Sequence, residues 1–217
     1  MQKVYKTLLK NATAEIEEKK SRFIANVKPV QSEEEALEFI KDLKSKYWDA
    51  THNVYAYYIV NDSVIQKFSD DGEPSGTAGL PVLEAIKKSG IQNVVVVVTR
   101  YFGGTLLGAA GLVRAYGKCA KAGIDEASIV QKILCFQVAV TAGYQLLGKL
   151  QSTMLSEGYY IENVKYEKDV EFSVYVPVDR LESFNYLIYD ITNAKAVLET
   201  GPKMYITVDE AGKYIGR

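Results

Sequence analysis

Chemistry-bearing residue types are scarce in this chain: its 217 residues include two cysteines, one histidine and one tryptophan. Cys119 and Cys135 stand sixteen positions apart with no second pair, too few nitrogen and sulfur ligands for structural zinc. Without a secretion signal they are not expected to form a disulfide. The opening MQKVYKTLLKNATAEIEEKK is too polar for a signal peptide, and no apolar run approaches the roughly 20 residues of a membrane helix. The expectation is therefore a cytoplasmic protein without a membrane partner. Charge of one sign is also lacking: 26 basic residues face 27 acidic ones, for a net charge of −1. That balance excludes a strongly basic nucleic-acid binder, so any affinity for phosphate has to come from a local patch.

With 47% hydrophobic residues and 24% charged ones, the composition is that of a globular protein able to bury a core. Short strands are expected in the first 30 residues, among them the alternating Ser21–Val27, which Pro29 ends. Ser32 and Glu35 have capping-box spacing before a helix whose apolar stripe is Ala36, Ile40, Leu43 and Tyr47. Strands over 53–60 and 64–68 precede the turn-rich run DDGEPSGTAG at 70–79, and a helix follows with Pro81 in its first turn and Gly90 closing it. The five valines Val94–Val98 have the pattern of a strand covered on both faces. A glycine-rich loop leads from it into a helix over 109–126. On that helix Leu112, Tyr116, Cys119 and Gly123 mark the packed face, and Arg114, Lys118, Lys121 and Asp125 the wet one.

Beyond about residue 130 the pattern changes. A strand over 136–140 is followed by a helix over 145–157 with Leu147, Leu150 and Met154 inward, a hairpin of 159–166 and 170–176, and a helix opened by Asp179 and Glu182 that carries Phe184, Leu187 and Ile191. A last strand over 196–208 is broken at Gly201-Pro202. The order β-α-β-β-α-β predicts a ferredoxin-like unit. The fold class is α+β, with two domains, 1–130 and 131–217.

Three segments could carry chemistry. Asp70, Asp71 and Glu73 place three carboxylates within four residues, a set that attracts divalent cations, but the spacing fails the EF-hand pattern and no metal site is assigned. Such a loop also forms when Asp and Ser bond their own backbone. Arg100, Gly103 and Gly104 begin the loop before the 109–126 helix, where helix N–H groups and two guanidiniums, Arg100 and Arg114, could meet one anion. Tight helix–sheet packing explains the same glycines. The loop has no G-x-G-x-x-G, and Ala109-Ala110 stand where a P-loop needs Lys-Ser/Thr. His52 has no readable nucleophile partner and no G-x-S-x-G elbow is present. No cofactor is implied.

Ser21-Arg22-Phe23-Ile24, Thr51-His52-Asn53 with Ala56-Tyr57, DDGEPSGTAG at 70–79, and the pattern RYFGG…LG..GL.RAYG from Arg100 to Gly117 together resemble the IMPACT family, in its bacterial YigZ-like branch. The family motif falls on His52, Asp70, Asp71, Glu73, Ser75, Thr77 and Tyr101, and on Arg100, Gly103, Gly104 and Arg114. Ala110 departs from a common glycine and Val54 from a common cysteine. The resemblance implies a first domain like the α/β fold shared by ribonuclease PH and a small-subunit ribosomal protein. It also implies a second domain like the last domain of elongation factor G. It further implies a link to translation, through the eukaryotic relative's connection to a kinase that phosphorylates an initiation factor.

Three functions stay open on these residues. The first is non-catalytic binding of RNA or the ribosome through Arg114, Lys118 and Lys121 beside the glycine loop. The second is an enzyme on a small phosphorylated or carboxylated molecule, with Arg100 and Arg114 on the anion and Asp70, Asp71 or Glu73 as base or Mg²⁺ ligand. The third is a protein adaptor offering Val170–Val176 and Lys203–Val208 as sheet edges.

Overall fold

The computed structural model describes residues 2–216 and contains two compact units, one of Tyr5–Val130 and one running from Gln131 with Gln2–Val4 added to it. It is a mixed α+β protein. Within the first unit β1 (Val4–Leu8) bridges Ile91 through Lys6. The main sheet has the order β2 (Ala12–Glu18), β3 (Ser21–Pro29), β6 (Val94–Tyr101), β4 (His52–Val60) and β5 (Val64–Ser69), every pair antiparallel.

The valine run explains why this sheet is central. Val94, Val96 and Val98 pack with residues of α2 (Gly79–Lys88) and α3 (Ala109–Glu126), while Val95 and Val97 pack with Ala36, Ile40 and Leu43 of α1 (Glu33–Lys46). All five are fully buried. A pleated strand sends alternate side chains to opposite faces, so a two-sided core requires unbroken apolar sequence. At roughly 1.5–3 kcal/mol per buried valine, this strand is a main anchor of the unit.

Ser32 caps α1 by accepting from the Glu35 N–H, as its spacing predicts. Glu35 reaches back one residue further than a capping box would, to the Gln31 N–H at 2.8 Å. Glu33–Glu35 in the first turn and Lys44 and Lys46 in the last complement the helix dipole.

The second unit has the strand order β11 (Tyr214–Gly216), β10 (Val197–Val208), β7 (Ile129–Ala142), β9 (Val170–Pro177) and β8 (Tyr160–Tyr166). Helices α4 (Leu147–Ser156) and α5 (Leu181–Thr192) supply Leu150, Met154, Phe184 and Ile188 to one core cluster on this sheet. The chain order with β10 beside β7 and β9 between β7 and β8 is the split βαβ arrangement.

Details differ from expectation for local reasons. Residues 144–146 form a 3-10 turn before α4, because Leu146 N–H closes on the Gly143 carbonyl three residues back. Asp179 does not open α5, which begins at Leu181 with no side-chain cap. Its fully buried positions are Phe184, Ile188 and Thr192, with Leu187 and Ile191 only partly covered. Of the strands expected to present edges, β9 is interior, paired with β7 and β8. In contrast, β10 pairs with β7 along its length and with β11 only at Thr207 and Val208, so among the described residues 203–206 keep one open edge. The short β11, which the sequence did not announce, covers only the last two residues of β10. Among the described residues no helix is long and apolar enough to cross a membrane.

Candidate functional site

The acidic loop is built from its own hydrogen bonds. Asp70 Oδ2 accepts the Gly76 N–H at 2.9 Å, and Oδ1 accepts those of Ala78 and Gly79 at 3.1 and 2.8 Å. The last two open α2, whose N-cap Ala78 has no oxygen of its own, so Asp70 caps that helix from eight residues upstream. Thr77 is buried and gives its N–H and hydroxyl to the Pro74 carbonyl. Ser75 is exposed. Asp71 accepts from Lys44 Nζ and from the Asn53 N–H, each at 2.6 Å. Protein donors thus occupy both aspartates expected as metal ligands or bases.

Asp71 also orients His52. Its carbonyl oxygen lies 2.8 Å from His52 Nδ1. A carbonyl only accepts, so Nδ1 carries a hydrogen, and in the neutral ring Nε2 is the nitrogen with the lone pair. That nitrogen is 3.8 Å from Glu73 Oε1, beyond hydrogen-bond length.

Glu73 and Arg100 form a buried ion pair. Arg100 Nη1 donates to Glu73 Oε1 at 2.6 Å, and the Tyr116 hydroxyl donates to the same oxygen at 2.8 Å. Burial and the Glu73 charge push the Tyr116 hydroxyl far above its usual range. Arg100 Nη2 donates to Ser21 Oγ at 3.2 Å, and its Nε is buried without a hydrogen-bond partner. The guanidinium lies 5.3 Å from the ring centroid of Phe23 and 5.5 Å from that of Phe102.

This arrangement corrects the expectation that Arg100 and Arg114 close on one anion. Arg100 turns into the core and Arg114 stands on the exposed face of α3. The anion-holding pair on which an enzyme of small phosphorylated molecules rested is therefore not assembled.

The glycine loop is tied to the β2–β3 hairpin. A Cβ on Gly103 would lie 1.9 Å from the Lys20 carbonyl oxygen, so only glycine permits this approach. The Gly103 N–H donates to Ser21 Oγ and the Phe102 N–H to Thr51 Oγ1. Gly104 is exposed in the left-handed region, and the Tyr101 hydroxyl reaches Asp49 at 2.9 Å. Between loop and α3 lies a cavity of about 400 Å³ bordered by His52, Glu73, Phe102, Leu106 and Ala109.

Cations gather at the hairpin. Lys118 Nζ lies 2.7 Å from Glu18, and Lys118 first, then Arg114, hold that carboxyl below the usual range. Lys19 and Lys20 form the exposed hairpin tip with φ of 46° and 67°, conformations that turns normally assign to Asn and Gly. Lys121 is paired instead with Asp125, one turn along α3. Sequence reasoning missed Lys19, Lys20 and Tyr116. The first two carried a readable signal, a Lys-Lys pair between two alternating segments. Tyr116 did not, since a tyrosine on a packed face also fits plain core.

Comparison with known proteins agrees with this two-part layout. A family described as the Impact N-terminal domain matches residues 19–124, and a domain of unknown function (DUF1949) matches 140–195. The "IMPACT family member YvyE" of Bacillus subtilis (strain 168) is 40% identical over 202 residues, 93% of each chain. The "IMPACT family member YigZ" of Escherichia coli (strain K12) is 32% identical over 83% of this chain and 89% of that one. A "Protein IMPACT homolog" of Dictyostelium discoideum is 39% identical over 97 residues, 43% of this chain and 28% of that one. A crystal structure described only as that of "an hypothetical protein" aligns with a TM-score of 0.59 at 29% identity, covering 93% of this chain and 98% of the other.

Proposed function

The chain belongs to the IMPACT family, and on that premise we propose that its first unit binds RNA, free or in the ribosome, without catalysing a reaction. One observation carries this reading. Lys118 and Arg114 of α3 act on Glu18 at the end of β2, and the exposed Lys19 and Lys20 follow it in the hairpin tip, next to a loop that exposes Phe102. Four cations against Glu17 and Glu18 leave a local positive excess on a chain whose total charge is −1. Exposed ion pairs such as Lys118–Glu18 are weak in water, so phosphate oxygens can compete for the lysine. Backbone phosphate supplies affinity without sequence preference, and an aromatic beside it gives a base a face to stack on.

A patch of this size makes about three to five phosphate contacts, each contributing about −0.7 to the slope of log affinity against log salt on a single strand. Binding is therefore weak and steeply salt-dependent. The test is retention of the purified protein on RNA and on ribosomes at about 50 mM salt. Retention that Arg114→Ala and Lys118→Ala reduce supports the reading. No retention, or retention indifferent to both substitutions, overturns it.

A further inference from the structure

The cavity beside α3 has a chemistry that phosphate binding leaves unexplained. Phe102, Leu106, Leu107 and Leu112 give it apolar walls around about 400 Å³, within the size range of small-molecule sites. Phe102 is 46% exposed and Leu106 82% exposed, so both gain by being covered. The polar end is an ion pair with no net charge to offer an anion. Arg100 also borders the cavity, but its charge is paired with Glu73 and both its Nη atoms already donate to the protein, so an anion meets no net positive charge; the Glu73 carboxylate and the Nε2 of a neutral His52 supply acceptors. A phosphate or carboxylate placed here would face Glu73.

A ligand that fits has a flat apolar body and N–H donors on one edge. We propose that this cavity receives a single unstacked nucleobase bearing an amino group, that of guanine, adenine or cytosine. The proposal rests on the RNA reading above, and it names what that reading lacks, a site for the base. An exocyclic amine donates to carboxylate or imidazole, as a glutamate accepts from cytosine N4. Uracil has no exocyclic amine, and its single N3–H stands between two carbonyls that would face the Glu73 charge. The Phe102 ring offers the stacking surface.

The geometry also connects base to backbone. Phe102 is followed by Gly103, which lies against the Lys20 carbonyl at the hairpin tip. A base in the cavity thus places its sugar and phosphate toward the Lys19–Lys20 corner, and the first turn of α3, free of acidic residues, adds its N–H groups on the same side.

The test uses the full chain with two probe sets. Calorimetry measures the 5′-monophosphates of guanosine, adenosine, cytidine and uridine, with ribose 5-phosphate as the base-free control. Fluorescence anisotropy compares a short single-stranded RNA with its abasic counterpart. The expected result is about tenfold tighter binding of the amino-bearing nucleotides than of the uridine nucleotide or the control, and a similar loss on the abasic strand. Ala109→Trp, which fills the cavity from an exposed helix position, and His52→Ala each abolish the preference. Lys19→Ala with Lys20→Ala weakens every strand alike and leaves the preference intact. Equal binding of all five small molecules, or a preference surviving both cavity substitutions in folded protein, overturns the proposal. If that happens while strands are still retained through Arg114 and Lys118, the RNA reading stands without the base site. Discrimination among nucleotides without strand binding upholds the cavity and removes the RNA reading.

Discussion

Glu73 Oε1 and Arg100 Nη1 are 2.6 Å apart with side chains only 4% and 6% exposed, an ion pair set inside the first unit rather than on its surface. Removing one member of such a pair leaves a buried charge uncompensated, which costs about 3–5 kcal/mol. Glu73→Gln should therefore lower the urea midpoint by that equivalent. Glu73→Gln combined with Arg100→Met should recover much of the loss, because no naked charge remains. A double variant as unstable as the single one would show that the pair is not the origin of the effect.

Asp70 caps α2 through space, with two of its three accepted N–H groups at the helix start. Asp70→Ala leaves three backbone donors without an acceptor, and a lost cap costs about 1–2 kcal/mol. Asp70→Asn keeps one acceptor oxygen and should lose less. Hydrogen exchange checks the assignment: the amides of Gly76, Ala78 and Gly79 should exchange faster in Asp70→Ala than in the parent.

How far the sequence disclosed these devices depends on whether a device is local. The α1 cap lies three residues from its target, and the valine strand and α3 announce themselves by period; all three are where the pattern places them. Asp70 reaches six to nine residues ahead inside a turn-rich loop, where no periodicity reports which carboxylate takes which N–H. Glu73 and Arg100 lie 27 positions apart and meet only because the loop folds back over β6. Charge alone made both aspartates look free for metal and Arg100 free for an anion. Partner choice by a charged side chain is decided by tertiary packing. The same reason hid the interior place of β9, since a strand's neighbours are fixed by topology and not by its alternation.

The thiols should be silent at neutral pH. Burial pushes Cys119 and Cys135 each up to about 12, with a donated backbone hydrogen bond only partly offsetting the effect at Cys119. Only the thiolate attacks a disulfide reagent, so neither cysteine should react at about pH 8 until the chain unfolds in denaturant, and then both should. The linkage has a definite sign. A thiol raised in the folded state ionises first in the unfolded state, so this contribution is whole below about pH 8.5 and is lost as pH rises toward about 12. Urea midpoints should fall across that window. In Cys119→Ala with Cys135→Ala the part of the decline due to the thiols should vanish, whatever the cost of the cavities left.

Gly103 and Gly104 are adjacent, yet their substitution should have unequal consequences. A Cβ at Gly103 meets the Lys20 carbonyl oxygen at 1.9 Å, a backbone atom that no rotamer change can move aside. A Cβ at Gly104 meets nothing within 4 Å, and its cost arises only from a φ of +81°, about 1–2 kcal/mol for a non-glycine residue. Gly103→Ala must push the loop and the hairpin tip apart, which loosens the Ser21 bonds to Gly103 and Arg100 and opens the cavity wall at Phe102. Its urea midpoint should fall further than that of Gly104→Ala. If base and backbone are read at one corner, RNA retention should drop in Gly103→Ala even under conditions where the variant is fully folded, while Gly104→Ala retains it. Equal stability of the two variants would mean that the hairpin and loop separate without cost, and the corner would then have no fixed geometry with which to read a strand.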